Sequence, residues 1–278
     1  MSWNYSITLS TFKDLEPLDK SLENLKSQGF DAVEVYGEPD IIDVKKFSNL
    51  LGSFSMKVSG VTGMWGLSNA SHKPRYLITA DKESVRSVQN YIKKCIILCH
   101  TLGGKTFNIC LFSDVPLISD GNHKLLSRDE KRKLVISTIK PLRHLAKYAG
   151  NYGVELLIEP LNRYSTPVCT NSEDAKYIAD RINEENVGVL LDTFHMNIEE
   201  DSIYDAIINS EKVLKHVHIS DNNRKMPGFA HINFESVTKA LKKIKYSRYL
   251  TFEPTVQNTR YKDDILISLQ YVKNLSKY

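Results

Sequence analysis

Long apolar runs are missing from this 278-residue chain. None reaches the roughly 18 residues that a membrane-spanning helix needs, so a helical membrane protein is not expected. The opening Met1-Ser-Trp-Asn-Tyr lacks the basic and apolar blocks of a secretory leader, which points to a cytoplasmic protein. Cysteine is scarce: Cys95, Cys99, Cys110 and Cys169 form none of the paired short spacings of a zinc ribbon or a small disulfide scaffold. An excess of one charge is also lacking, because 37 basic residues face 33 acidic ones and leave a formal net charge of +4. That balance offers no electrostatic argument for a nucleic acid or an anionic membrane as partner. The densest basic cluster, Lys242, Lys243, Lys245 and Arg248, reads as a solvated helix face and the turn after it. Asn4, Asn69 and Asn274 open glycosylation-type triplets, which have no meaning without a secretory signal.

What the chain does have is a regular alternation. Hydrophobic residues make up 41% and charged residues 25%, the balance of a soluble globular protein. Eight short β-like runs follow one another: Ser6 to Leu9, Ala32 to Tyr36, Lys57 to Val61, Thr106 to Leu111, Glu155 to Glu159, Gly188 to Asp192, His216 to Ile219 and Tyr249 to Glu253. Between them lie stretches of helical period, such as Val85, Val88, Ile92, Cys95, Ile96 and Cys99, which places Cys95 and Cys99 on one buried helix face. Capping-box spacings at Ser127 with Glu130 and at Thr170 with Glu173 mark two helix starts. Gly29, Gly103, Gly104 and Gly153 mark left-handed exits from helices. The pattern predicts an α/β chain, a single (β/α)8 TIM barrel filling residues 1–278 as one domain. Two longer connections, Ser113 to Ser127 and Asp221 to Asn233, leave from the face where barrel enzymes build their sites. Gly63, Met64, Trp65, Gly66 and Phe112 on that face are candidate apolar walls.

The chemistry lies at the ends of the later runs. Glu159, Asp192, His218 and Glu253 each terminate an apolar stretch, about one βα unit apart. On a barrel, consecutive strand ends converge, so these four groups are expected to meet at one metal ion. Three carboxylates and one imidazole suit Mn2+ or Mg2+ and tolerate Co2+ or Zn2+. His195, about one turn beyond Asp192, and Arg224, six residues beyond His218, are expected to contact substrate, the guanidinium as a fixed fork for a polyol oxygen or carboxylate. His216 is assigned to the barrel wall, turned away from His218. A cation flanked by two carboxylates stabilises an enediolate while one carboxylate removes a carbon-bound proton. With Glu159 and Glu253 on opposite faces, one takes the proton and the other returns one, inverting a stereocentre; the cation is expected to hold both ionised.

At these residues the chain resembles the xylose isomerase-like TIM-barrel superfamily, and within it the ketose 3-epimerases of the D-tagatose/D-psicose type. The resemblance is carried by Glu159-Pro-Leu-Asn-Arg163, Leu191-Asp-Thr-Phe-His-Met-Asn-Ile-Glu-Glu200, His216-Val-His-Ile-Ser-Asp-Asn-Asn-Arg224 with Pro227-Gly228, and Phe252-Glu-Pro254. It implies metal ligation by Glu159, Asp192, His218 and Glu253, acid/base catalysis by Glu159 and Glu253, substrate contacts from His195 and Arg224, and a homodimer or homotetramer. It also implies epimerisation of a ketose at C3 through a cis-enediolate. Aldose-ketose or inosose isomerisation, polyol dehydration and apurinic-site cleavage are the alternatives. Two positions depart from the pattern: Ser165 stands where these epimerases carry a substrate-binding glutamate, and Thr255 where they often carry an aromatic. Both changes alter which end of a sugar is gripped.

Overall fold

All eight β-like runs become strands of one closed, all-parallel barrel in the computed structural model, which describes residues 3–12, 15–65, 75–119, 122–123, 125–256 and 260–277. The strands are β1 (Asn4–Thr8), β2 (Ala32–Tyr36), β3 (Lys57–Thr62), β4 (Thr106–Cys110), β5 (Glu155–Glu159), β6 (Val187–Asp192), β7 (Leu214–Ile219) and β8 (Tyr249–Phe252). They pair in sequence order around the ring, and β1 closes on β8 through the register Asn4 with Tyr249 to Ile7 with Phe252. Strands buried on both faces need near-continuous apolar runs, which is why Leu156, Leu157 and Ile158, or Val189, Leu190 and Leu191, appear without polar alternation. Among the described residues, no helix is long and apolar enough to cross a membrane.

The helices are α1 (Leu18–Gln28), α2 (Val44–Ser53), α3 (Lys82–Thr101), α4 (Arg128–Gly150), α5 (Ser172–Ile182), α6 (Thr193–Glu199), α7 (Ile203–Asn209), α8 (Phe234–Lys243) and α9 (Tyr261–Lys277). Ser127 and Glu130 form the expected reciprocal cap of α4. The second expected box is displaced by one residue, since Asn171, not Thr170, accepts from the Asp174 amide and caps α5. Thr170 instead receives a hydrogen bond from Lys131 at 2.8 Å, a tertiary contact with no local signature. Gly29, Gly103 and Gly153 are left-handed, whereas Gly104 is not. Gly104 is there for space: a Cβ would lie 2.9 Å from Cys99 Sγ. Cys95 and Cys99 share the buried face of α3 as expected.

The two long connections have distinct structures. The one after β4 carries two short pairings, Phe112–Ser113 with Tyr76–Ile78 and Ile118–Ser119 with Asn122–His123. The one after β7 winds around the buried Asp221, whose carboxylate accepts from the amides of Asn222, Gly228, Ala230 and Ile232 at 2.8 to 3.1 Å. Four amides on one carboxylate hold this loop in a single shape, including Arg224 at φ +61°. The basic cluster is largely engaged: Lys242 caps the Leu275 carbonyl, and Arg248 pairs with Glu155. Gly66 and Asn69 lie outside the described residues.

Candidate metal centre

Glu159 ends β5, Asp192 ends β6, His218 is the penultimate residue of β7, and Glu253 directly follows β8. Each offers one ligand atom, and the four atoms lie within 4.8 Å of one another at the C-terminal mouth of the barrel. His218 Nδ1 is 3.0 Å from Glu253 Oε2 and 3.8 Å from Glu159 Oε1. The structure therefore brings together all four sequence-predicted residues.

The protein holds the far side of three of the four groups and turns their near side to the centre. Asn108 Nδ2 and Cys110 Sγ, both on β4, donate to Glu159 Oε2 at 2.5 and 3.3 Å, which leaves Oε1 facing His218. Asn108 is itself oriented by the Gly63 amide, which donates to its Oδ1 at 2.9 Å. Asp192 caps α6 by accepting from the Phe194 amide through Oδ1, while its Oδ2 faces the centre and there accepts from Arg224. His218 Nε2 donates to Glu34 Oε1 at 2.9 Å, which leaves Nδ1 for the centre.

Glu34, Asn108 and Cys110 were not identified from sequence. Glu34 carried one signal, a lone charge in the middle of the strand Ala32-Val-Glu-Val-Tyr36. His216 requires a correction. Residues two apart on a strand share a face, so His216 points into the barrel with His218 and not away from it. Its Nε2 lies 2.8 Å from Glu34 Oε2 and 2.9 Å from Thr251 Oγ1, so one carboxylate bridges both imidazoles.

Electrostatics separate the two glutamates. Burial, with Glu253 and Asp192 close by, outweighs His218 and pushes Glu159 up to about 7. Burial would also raise Glu253, but Arg224 and His218 overrule it and hold that carboxyl well below the usual carboxylate range. Without an ion, then, Glu253 is the more acidic of the two carboxyl groups, and the expectation that a cation holds both ionised concerns the loaded centre. Burial would lower His218, yet Glu34 and Glu253 on its two sides raise it well above the usual imidazole range. For Glu34 the two histidines similarly outweigh burial and bring the carboxyl down to about 2.

His195 and Arg224 both reach the centre. Arg224 donates to Asp192 Oδ2 and Glu253 Oε2, with Ser220 Oγ at 3.1 Å, and its guanidinium lies 4.7 Å above the Phe194 ring. His195 Nδ1 accepts from the Asn162 backbone amide at 3.0 Å, with Asn162 Nδ2 at 2.9 Å. That acceptor role puts the imidazole proton on Nε2, 3.7 Å from Asp192 Oδ2. Burial lowers the His195 pKa and keeps this tautomer neutral. His231 is exposed and plays no part in the centre.

A divalent cation fits this arrangement. Ligand atoms of three carboxylates and one imidazole converge, and the other atoms of three of these four groups already have protein hydrogen-bond partners, donors at Glu159 and Asp192 and the Glu34 acceptor at His218, which is how a preorganised ligand set is built. To hold an ion, Nδ1 of His218 would have to give up its proton.

Residues 22–274 match the family model described as xylose isomerase-like TIM barrel. The chain belongs to that family. Among xylose isomerase-like barrels it is similar to the D-psicose 3-epimerase of Agrobacterium fabrum, 29% identical over 243 residues that cover 85% of this chain and 78% of that protein. The 3-dehydro-D-guloside 4-epimerase of Escherichia coli is 33% identical over 131 residues, 47% of this chain and 49% of that protein. Among solved structures, D-allulose 3-epimerase from a Methylomonas species in complex with D-allulose superposes with a TM-score of 0.82 at 24% identity, covering 98% of this chain and 96% of that one. This last likeness concerns the fold.

Proposed function

We propose that this protein is a divalent-metal-dependent epimerase of keto-sugars that inverts a carbon next to a carbonyl, with C3 of a ketose as the reacting centre. Its membership of the family and its curated relatives support an enzyme of the epimerase and isomerase class. The observation that carries the reading is the pair Glu159 and Glu253, presented from the ends of β5 and β8 so that both carboxyl groups face His218 Nδ1, at 3.8 and 3.0 Å. Two carboxyl groups held on separate strand ends around one centre can act as a proton acceptor and a proton donor.

In this reading Glu159, Asp192, His218 and Glu253 hold the ion, with Mn2+ favoured and Mg2+, Co2+ or Zn2+ able to replace it. When bound, the ion supplies electrostatic stabilisation of an enediolate. Glu253, held ionised, takes the proton from the carbon beside the carbonyl. Glu159 delivers a proton to the opposite face, and the reverse reaction exchanges the two roles. Asn108 and Cys110 keep Glu159 aimed. His195 donates from Nε2 to a substrate oxygen, and Arg224 offers its fork to another. The same intermediate would serve aldose-ketose isomerisation, so the position of exchange decides between them. Four free, buried cysteines accord with a reducing, cytoplasmic setting.

Proton NMR in deuterated water tests this. The Mn2+-loaded enzyme, exchanged into Mg2+ to avoid paramagnetic broadening, is incubated with a panel of ketoses, aldoses and inososes. Deuterium at C3 with appearance of the epimeric ketose is the expected result. Exchange at C1 or C2 with an aldose product makes the enzyme an isomerase, and loss of water makes it a dehydratase.

A further inference from the structure

Three cavities meet at Arg224. One of about 210 Å³ is lined by Tyr36, Glu38, Trp65, Arg75, Arg224 and Glu253 among others. A second of about 310 Å³ runs past Thr11 and Glu253 to Thr255. A third of about 570 Å³ opens between Met226, Phe229 and Thr255.

The first cavity is the one with built recognition chemistry. Glu38 and Arg75 form an ion pair at 3.3 Å with side chains only 6% and 13% exposed. The Arg75 guanidinium stacks 3.8 Å from the centroid of the Tyr91 ring, and the Tyr91 hydroxyl donates to the Gly37 carbonyl at 2.7 Å. These contacts fix Arg75, yet its Nη1 is buried without a hydrogen-bond partner among the described residues. A charged donor left in this state is unfavourable until a ligand oxygen completes it. Beside it, Trp65 is 39% exposed and braced edge-on against Phe112 at 4.8 Å, so it offers a rigid aromatic face. Two guanidinium groups are balanced by two carboxylates in the lining, which suits an uncharged hydroxyl-bearing group and disfavours a phosphate.

We infer that this cavity is a subsite for a glycosyl substituent, so that the substrate is a glycosylated keto-sugar whose second ring lies against Trp65 and gives a hydroxyl oxygen to Arg75. The inference rests on the keto-sugar epimerase reading for the reacting end. Arg224 and Glu253 mark the end of the cavity that opens on the centre, and the inference assigns Glu38, Arg75 and Trp65, in the same lining, as specificity determinants that hold the second ring.

The test compares deuterium exchange for a free ketose and for the same keto-sugar bearing a glucosyl group. The expected kcat/KM is about tenfold higher for the glycosylated form, and Arg75→Met and Trp65→Ala each lower that ratio about tenfold, mainly through KM. Trp65 is at the surface, so its variant retains the fold where loss of Arg75 disturbs it. Equal or better use of the free ketose by the wild type overturns the subsite, as does an equal effect of both variants on both sugars. Exchange with neither sugar instead overturns the epimerase reading. Binding of unreactive cellobiose, followed by ligand-observed NMR, then decides the subsite alone: binding that is lost in Arg75→Met supports it, and no binding to the wild type overturns it.

Discussion

Oε1 of Glu34 lies 2.9 Å from Nε2 of His218, a contact made across the barrel interior from β2 to β7. It directs the other imidazole nitrogen at the three carboxylates. Glu34→Gln keeps the volume but removes the charge that orients His218, and Mn2+ affinity is expected to fall about 10- to 100-fold. Competition with a chelator measures this, with circular dichroism to show that the fold persists. Unchanged affinity would remove Glu34 from the support of the centre.

Glu159 and Glu253 share the work in the proposed reaction. Glu159→Gln and Glu253→Gln should each reduce substrate deuterium exchange by about 10² to 10⁴ while leaving the barrel folded. Full exchange activity in both variants would sink the two-carboxylate mechanism.

Asn162 supplies two nitrogens to His195 Nδ1, one of them from the backbone. Asn162→Ala leaves the backbone donor in place, so a loss of about three- to tenfold in kcat is expected. Asn162→Asp puts an acceptor opposite Nδ1 and should raise the His195 pKa, which an NMR titration of the imidazole reads directly. A His195 pKa identical to that of the wild type would show that Asn162 does not set its protonation.

At the other end of the barrel, Glu155 pairs with Lys215 at 2.8 Å and with Arg248. Burial would raise its pKa, but these two cations lower it below the ordinary carboxylate value. A depressed folded-state pKa gives stability that is complete above the unfolded-state pKa and is lost as pH falls through the folded-state value. Glu155→Gln should therefore cost about 1 to 3 kcal/mol at pH 7. The gap between variant and wild type should close in acid, as followed by urea denaturation at stepped pH. A gap that stays constant down to the acid limit would contradict the assignment.

Much of the fold was legible in one dimension because the signals are local. Apolar runs at 155–158 and 187–191 mark strands buried on both faces, and the helical period at Val88, Ile92, Cys95 and Cys99 marks the inner face of α3. Helix starts depend on a few neighbouring hydrogen bonds, which is why Ser127 with Glu130 was placed correctly. Thr170 with Glu173 was off by one residue, since Asn171 competes for the same role and Thr170 is claimed by Lys131 of α4.

The sequence by itself determined a parallel eight-stranded barrel and the four groups that meet at its mouth, because barrel closure converts strand order into convergence of strand ends. Tertiary structure alone decided what surrounds them. Glu34 and His218 are 184 positions apart, and Asn108 lies 51 positions from Glu159. The His216 to Glu34 contact, the Arg224 fork over Asp192 and Glu253, and the Arg75 cavity likewise join segments distant in sequence. Periodicity assigns a residue to a face, but which side chains touch across that face depends on barrel register and on how a buried charge finds its partner.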